Sequence, residues 1–198
     1  TTGNPADNSM VNSGAAYVFK RSGTAWSQVA YLKAGNSSTG SNFGCSVAIS
    51  GTTVVVGAGM VKQAWQGPPY GGAAGEDSNA TGVDGDDSNT LAENSGAAYV
   101  FSPHGIQWRQ DAYLKASNTN REDCFGYAVA IDGGLIAVGA MGEASAASGV
   151  NGDQADNSLP VAGAAYVFAR RVDGQWTQEA YLKSTPRVPS PYEGWGIG

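Results

Sequence analysis

The sequence is poor in the residues that many chemistries require. It has one histidine, two cysteines and 11 lysines and arginines among 198 residues, and charged residues make up 14%. With a net charge of −6 and no basic cluster to meet phosphates, the sequence predicts no nucleic-acid partner. No apolar run approaches the ~20 residues of a membrane span, so we expect no membrane insertion. Coiled coils and helical bundles are disfavoured, because they need many more charged residues.

Glycine and aromatic residues are abundant instead. The chain has 29 glycines, and 10% of its residues are aromatic. No segment keeps a 3.6-residue apolar period, whereas short stretches alternate between apolar and polar residues. These features predict an all-β chain.

Internal repeats are the main signal. The sequence Gly-Ala-Ala-Tyr-Val-Phe occurs three times, beginning at Gly14, Gly96 and Gly163. Each copy is followed by a tryptophan and then by Gln-x-Ala-Tyr-Leu-Lys. The spacings are 82 and 67 residues, and the difference corresponds to an insertion at residues 60–74. A period of about 67 residues is longer than common helical repeats and suits a four-strand unit.

Each repeat predicts four short strands. The segments 43–49 and 125–131 begin with Phe-Gly, and short turns join them to the apolar segments 54–58 and 136–140. Because residues 54–56 are apolar at every position, we expect this strand to be buried on both faces. The last strand alternates, which predicts one face formed by Trp26, Gln28, Ala30 and Leu32.

A sheet that is buried on both faces and repeated at a fixed period predicts β-propeller blades of four antiparallel strands. A β-sandwich is the alternative, but it needs no repeated sequence. We expect residues 1–37 to form the C-terminal half of a blade, 38–118 and 119–185 to form full blades, and 186–198 to begin a further blade. About two and a half blades cannot close a ring. The remaining blades are therefore expected from a longer chain or from other protomers.

The Phe43-Gly44 and Phe125-Gly126 pairs, each followed by Val-Gly-Ala, resemble the FG-GAP repeats of integrin-α-type β-propellers. The resemblance extends to bacterial extracellular tandem repeats, although Gly59 and Met141 replace the usual proline. It implies an extracellular or cell-surface scaffold for binding or adhesion, whose partner is a protein or glycan on a cell surface or matrix. The alternatives are a non-catalytic structural array of a large surface protein and an accessory propeller domain of a hydrolase or lyase.

Acidic and amide side chains gather in the long loops between the second and third strands. Ca²⁺ takes six to eight oxygen ligands, which clustered Asp and Asn residues supply. We predict a calcium cofactor with ligands among Glu76, Asp77, Asp84, Asp86 and Asp87 in one loop and Asn151, Asp153 and Asp156 in the next. Solvated turns are the alternative, because the same residues form ordinary turns. The resemblance does not supply these ligands, since the integrin-type calcium loop lies between the first two strands.

The insertion at residues 60–74 carries Trp65 and Tyr70 among glycines and prolines. An exposed aromatic pair at a loop tip stacks on sugar rings or fills a partner's pocket, so we predict that these two residues bind the ligand. The alternative is that they pack against their own blade.

We expect no enzyme activity. The single histidine, His104, lies in a predicted turn, and the sequence contains none of the usual catalytic motifs. Cys45 and Cys124 form no Cys-x-x-Cys motif. The sequence does not decide whether they form a disulfide between adjacent units.

Overall fold

The computed structural model describes residues 4–59 and 75–184. Over these ranges the chain contains no helix and has eleven strands. The strands are β1 (Ala16–Ser22), β2 (Ala25–Leu32), β3 (Ser46–Ser50), β4 (Thr53–Gly57), β5 (Ala98–His104), β6 (Gln107–Leu114), β7 (Phe125–Asp132), β8 (Leu135–Ala140), β9 (Gly149–Val150), β10 (Ala164–Arg170) and β11 (Trp176–Lys183). The predicted all-β class is confirmed.

The strands form three antiparallel sheets, which we call blades 1, 2 and 3. Blade 1 contains β1 and β2, and blade 2 has the order β3-β4-β5-β6. Blade 3 has the order β7-β8-β10-β11, with the short β9 added beside β11. Neighbours in space are neighbours in sequence apart from β9, as expected for partial propeller blades.

Two seams of apolar side chains hold the blades face to face. At the first seam, between blades 1 and 2, the small face of blade 1 meets an aromatic face of blade 2, and the buried residues include Ala16, Val18, Leu32, Phe43, Tyr99, Phe101 and Tyr113. At the second seam, between blades 2 and 3, they include Val100, Ala112, Leu114, Phe125, Tyr166, Phe168 and Tyr181. In blade 2, residues 54–56 are buried as predicted.

A β-bulge interrupts the alternation that the sequence predicted for the last strand. The register of the outer hairpin shifts between Val100 and Phe101, and the other two blades shift at the same place. The extra residue changes the face on which the preceding side chains lie. Trp108 therefore packs at the first seam, whereas Ala112 and Leu114 pack at the second. The prediction that Trp26 shares a face with Ala30 and Leu32 was wrong for this reason.

The first glycine of Gly-Ala-Ala-Tyr-Val-Phe lies at a close approach between two blades. Gly96 forms a parallel bridge with Phe125 and has a φ of 78°. A Cβ atom there would lie 2.1 Å from the carbonyl oxygen of Phe125. Only glycine fits this contact, and Gly14 makes the same bridge with Phe43.

Candidate functional site

A buried ion pair lies beneath each long loop. Lys115 Nζ is 2.7 Å from Glu76 Oε2, and both side chains are almost fully buried. Lys115 also donates to the carbonyl oxygen of Ser78 at 2.8 Å and to Ser95 Oγ at 2.7 Å. In blade 3 the equivalent pair is Lys183 and Glu143, with 2.6 Å between Nζ and Oε2.

An asparagine from the preceding blade completes each network. Asn36 of the loop after β2 donates from Nδ2 to Glu76 Oε1 at 3.2 Å, and Tyr99 donates from its hydroxyl to Asn36 Oδ1 at 2.8 Å. At the second seam Asn118 donates to Glu143 Oε1 at 3.0 Å, and it accepts a bond from the Tyr166 hydroxyl. Each network therefore ties the end of one blade to the loop and third strand of the next.

Burial governs the electrostatics of these networks. It lowers the pKa of Lys115, and the nearby Glu76 carboxylate opposes that shift. Burial raises the pKa of Tyr99, so this hydroxyl keeps its proton and acts as a donor. Throughout the described ranges every buried side-chain nitrogen and oxygen has a hydrogen-bond partner. Buried charges that are fully paired fix geometry but are costly to break singly.

A polar cleft lies above the first network. It measures about 390 Å³ and separates the loop after β2 from the long loop of blade 2. Its walls carry hydroxyl, amide and carboxylate groups from Gly35, Asn36, Ser37, Ser38, Glu76, Asp77, Asp87, Ser88, Asn89 and Thr90. The cleft thus brings three of the predicted calcium ligands to one place.

Side chains bridge the equivalent place at the second seam. Ser117 Oγ donates to Gln154 Oε1, and Asn120 Nδ2 donates to Asn157 Oδ1 at 3.3 Å. In the repeat, Gly35 stands where blade 2 has Ser117, and Asp87 stands where blade 3 has Gln154. The first seam therefore lacks the Ser117–Gln154 bridge, and its cleft is open.

The sequence matches the FG-GAP repeat family over residues 26–101 and 108–168. The chain belongs to this family. Each matched segment runs from the outer strand of one blade into the third strand of the next, so an FG-GAP unit spans a seam. No curated protein matches the sequence.

Two predicted calcium ligands, Asp84 and Asn151, hold the FG-GAP loops to the sheet edge. Asp84 Oδ1 accepts a bond from the Tyr113 backbone N–H at 2.8 Å, and Asn151 Oδ1 accepts one from Tyr181 at 2.9 Å. Both residues have positive φ, 52° and 54°, which Asp and Asn tolerate better than most side chains. They therefore dock each long loop on the outermost main strand.

Three more of the predicted calcium ligands, Asp86, Asp153 and Asp156, cap turns. Asp86 accepts a bond from the Ser88 N–H at 3.0 Å, and Asp153 and Asp156 each accept one from the N–H two residues later. Hydrogen bonds from Ser88 lower the pKa of Asp86. Asp77 accepts a bond from the Asn94 N–H at 2.8 Å. Among the described residues no three His, Cys, Asp or Glu side chains form a group that could hold a metal ion. Calcium binding by these residues stays a prediction.

Asp123 is a buried carboxylic acid at the second seam. Its Oδ2 accepts a bond from the Asn120 N–H at 2.7 Å, and it is 2% exposed. Burial raises its pKa to about 7, and the nearby Glu143 carboxylate adds to the shift. The equivalent residue at the first seam is Ser41, whose hydroxyl accepts a bond from the Ser38 N–H at 3.2 Å. The same turn is thus capped by a titratable group at one seam only.

Other candidate residues lie apart from these networks. Trp65 and Tyr70 are outside the described residues. His104 Nε2 lies 2.7 Å from Asp111 Oδ1, and Ser102 Oγ bonds to the other oxygen of Asp111. The carboxylate stands between the hydroxyl and the imidazole, so this arrangement lacks the hydroxyl–imidazole contact that activates a serine nucleophile.

Cys45 and Cys124 are both thiols and do not form a disulfide. Cys45 is exposed, and its Sγ lies 3.3 Å from the Gly59 carbonyl oxygen. Cys124 is buried, which raises its pKa to about 12. No helix that could span a membrane occurs in residues 4–59 and 75–184.

Sequence reasoning missed the lysines and asparagines of the networks. A signal was present, because every Gln-x-Ala-Tyr-Leu-Lys copy ends in lysine. In addition, the Gly-Glu pairs at 75–76 and 142–143 stand at one fixed distance before Gly-Ala-Ala. A lysine and a glutamate that recur in register would have suggested an ion pair.

Proposed function

We propose that this chain is part of an extracellular or cell-surface FG-GAP propeller that acts as a binding or adhesion scaffold and recognises a protein or glycan through its loops. Membership of the FG-GAP family supports this proposal, because such repeats are typical of extracellular and surface proteins. The open polar cleft at the first seam is the observation that carries it.

The cleft has the chemistry of a site for a hydroxyl-rich or amide-rich ligand. Its walls offer carboxylate acceptors together with amide and hydroxyl donors, which suits the alternating donors and acceptors of a sugar or peptide. The buried Lys115–Glu76 pair fixes the floor beneath it. A rigid floor reduces the entropy lost on binding.

A glycan array and a cell-adhesion assay with the full chain test this function. Two variants locate the site: Trp65→Ala with Tyr70→Ala removes the aromatic pair, and Gly35→Ser with Asp87→Gln gives the cleft the residues of the bridged seam. Tyr127→Ala, at an exposed position on β7, is the matched control. We expect specific binding that one of the two variants abolishes and the control retains. The absence of any ligand, or binding that all variants retain, would contradict the proposal.

We further propose that calcium binds the long acidic loops. Glu76, Asp77 and Asp87 line one cleft and support this proposal, although most of the other carboxylates accept bonds within turns. Calorimetric titration with Ca²⁺ and thermal melts in chelator provide the test. We expect heat of binding on titration and a lower melting temperature in chelator. An unchanged melting temperature together with no heat of binding would contradict the proposal.

A non-catalytic structural array is the second candidate function. The ion-pair networks support it, because they tie successive blades together without any ligand. The third reading, an accessory domain of a hydrolase or lyase, is tested by the flanking sequence. In all three readings we expect this segment itself to have no catalytic activity.

A further inference from the structure

Two segments of the chain have the form Asn-x-Ser/Thr, in which an N-linked glycan is joined to the asparagine side chain. They are residues 36–38, Asn-Ser-Ser, and residues 79–81, Asn-Ala-Thr. Attachment needs room at the asparagine Nδ2, and the motif also requires the hydroxyl group two residues later. The two segments differ in both respects.

The first segment is engaged in the contact between blades 1 and 2. Asn36 Nδ2 donates to Glu76 Oε1 at 3.2 Å and to the Asp87 carbonyl oxygen at 3.3 Å. The Ser38 hydroxyl lies 2.6 Å from Ser41 Oγ. A sugar on Asn36 Nδ2 would replace one of the two donated hydrogens and would need the space that its acceptor fills. The closed first seam therefore excludes a glycan at this position.

The second segment presents both required groups to solvent. Asn79 and Thr81 are exposed, whereas Ala80 between them is buried in the first seam. The backbone N–H of Asn79 donates to Asn89 Oδ1 at 3.1 Å. Within residues 4–59 and 75–184, neither the Asn79 side-chain amide nor the Thr81 hydroxyl makes a hydrogen bond. The backbone is thus held in place while both side chains of the motif stay accessible.

We propose that Asn79 is the attachment site of an N-linked glycan. This inference rests on the proposed extracellular location, because such glycans are carried by the surface loops of secreted proteins. The donor is an oligosaccharide joined to a lipid through a pyrophosphate, and an oligosaccharyltransferase catalyses the transfer. Asn79 Nδ2 loses one proton and forms a bond to the anomeric carbon of the first sugar. The bond from that carbon to the pyrophosphate oxygen breaks, and the lipid pyrophosphate leaves with the electron pair.

The proposed attachment site borders the polar cleft. Asn89, which accepts the bond from the Asn79 backbone, lines the cleft together with Ser88 and Thr90. Asn79 itself is not part of the cleft wall. A glycan at Asn79 therefore stands beside the cleft and replaces none of the polar groups inside it.

The repeat offers a matched position in blade 3. Residues 146–148 are the equivalents of the proposed site, and their sequence is Ala-Ala-Ser. The Ala146 backbone N–H donates to Asp156 Oδ2 at 2.8 Å, and both Ala146 and Ser148 are exposed. Ala146→Asn therefore creates the motif Asn-Ala-Ser in the same local structure.

Secretion of the full chain from a eukaryotic cell line, behind a secretion leader, tests the proposal. Glycans are counted by the gel shift on treatment with peptide N-glycosidase. Mass spectrometry identifies the attachment site, because this enzyme converts the asparagine that carried the glycan to aspartate. We expect one glycan on the wild-type chain and on Thr81→Ser, none on Asn79→Gln or Thr81→Ala, and two on Ala146→Asn. We expect no glycan at Asn36 in the secreted protein, since a chain modified there cannot close the first seam.

Two results would overturn the proposal. One is a secreted wild-type chain without a glycan at Asn79, in cells whose own secreted proteins are glycosylated. The other is equal modification of Asn36 and Asn79, since the fold would then not distinguish the two motifs. If the chain is not secreted, it is translated with microsomal membranes, and the absence of a gel shift that depends on Asn79 decides against the proposal. Ligand binding is assayed separately on Asn79→Gln, so failure of the proposed function is distinguished from failure of this site.

Discussion

The two seams are built on one framework and differ at its edge. Both contain the Lys–Glu pair, the asparagine from the preceding blade and the tyrosine that donates to it. They differ where Gly35 and Asp87 replace Ser117 and Gln154, and where Ser41 replaces Asp123. The buried framework is therefore constant between repeats, whereas solvent access and titration behaviour change with a few residues around it.

The largest expected effect comes from breaking a buried pair at either seam. Lys115→Met and Lys183→Met each leave a buried glutamate without its cation, and we expect each to cost about 3–5 kcal/mol of unfolding free energy. Urea unfolding followed by circular dichroism measures this loss. The double variant Lys115→Met, Glu76→Leu should recover much of the stability lost in the single variant. Equal stability of wild type and Lys115→Met would show that the pair does not form.

A crowded glycine should have the next largest effect. A Cβ atom on Gly126 would lie 2.1 Å from the Ala97 carbonyl oxygen, and the φ there is 89°. We expect Gly126→Ala to cost roughly 3 kcal/mol in thermal or urea unfolding. Gly133 also has positive φ but has no atom within 4 Å of a built Cβ, so Gly133→Ala isolates the backbone contribution. A similar loss of unfolding free energy in both variants would mean that the backbones at the seam move apart to accommodate the added methyl group.

Replacing Asp123 should remove a pH dependence that only the second seam has. Because the folded-state pKa of Asp123 is raised to about 7 from its ordinary value of 3.8, the unfolded chain releases this proton at a lower pH than the folded chain does. Stability due to this group therefore falls as pH rises from about 4 to about 7. We expect Asp123→Ser to raise the unfolding free energy at pH 8 by about 2 kcal/mol and to flatten its pH profile. Ser41→Asp, the reciprocal change, should introduce the same slope at the first seam. Unchanged profiles in both variants would contradict the assignment.

The smallest expected effect is the exchange of the open and bridged seams. Gly35→Ser with Asp87→Gln should add one or two hydrogen bonds across the cleft and stabilise the protein by about 0.5–1.5 kcal/mol. The reverse pair, Ser117→Gly with Gln154→Asp, should open the second seam and destabilise by a similar amount. Chemical denaturation measures both changes in unfolding free energy. Changes of the same sign in the two double variants would contradict the assignment of the bridge to these residues.

Much of the architecture was predictable because it follows from repetition and local pattern. The apolar run at residues 54–56 indicated a strand buried on both faces, and the structure confirms it. The bulge was not predictable from the alternation of apolar and polar residues, because a two-residue period assumes that the register of the strand is unbroken. The fate of the tryptophans depends on neighbours: Trp176 is buried at a seam, whereas the equivalent Trp26 is 65% exposed on the outer face of blade 1.

The site was harder to predict, because the sequence shows residue types but not their partners. Glu76 was predicted as a calcium ligand, which stays a prediction, and its ion pair with Lys115 was not foreseen. Asp84 and Asn151 share a position in the repeat, yet their role in binding a strand N–H depends on a positive φ that no composition rule reveals. Asp123 escaped notice because its burial depends on the packing of two blades.

Blade 2 carries a carboxylate, Glu76, that accepts a bond from Asn36 of blade 1, and its own Asn118 donates to the Glu143 carboxylate of blade 3. The contact is the same at both seams, so it does not depend on the position of a blade in the array. Tandem duplication of such a blade, about 67 residues, therefore creates a new junction whose amide and carboxylate are already matched, so that array length can evolve without compensating substitutions there.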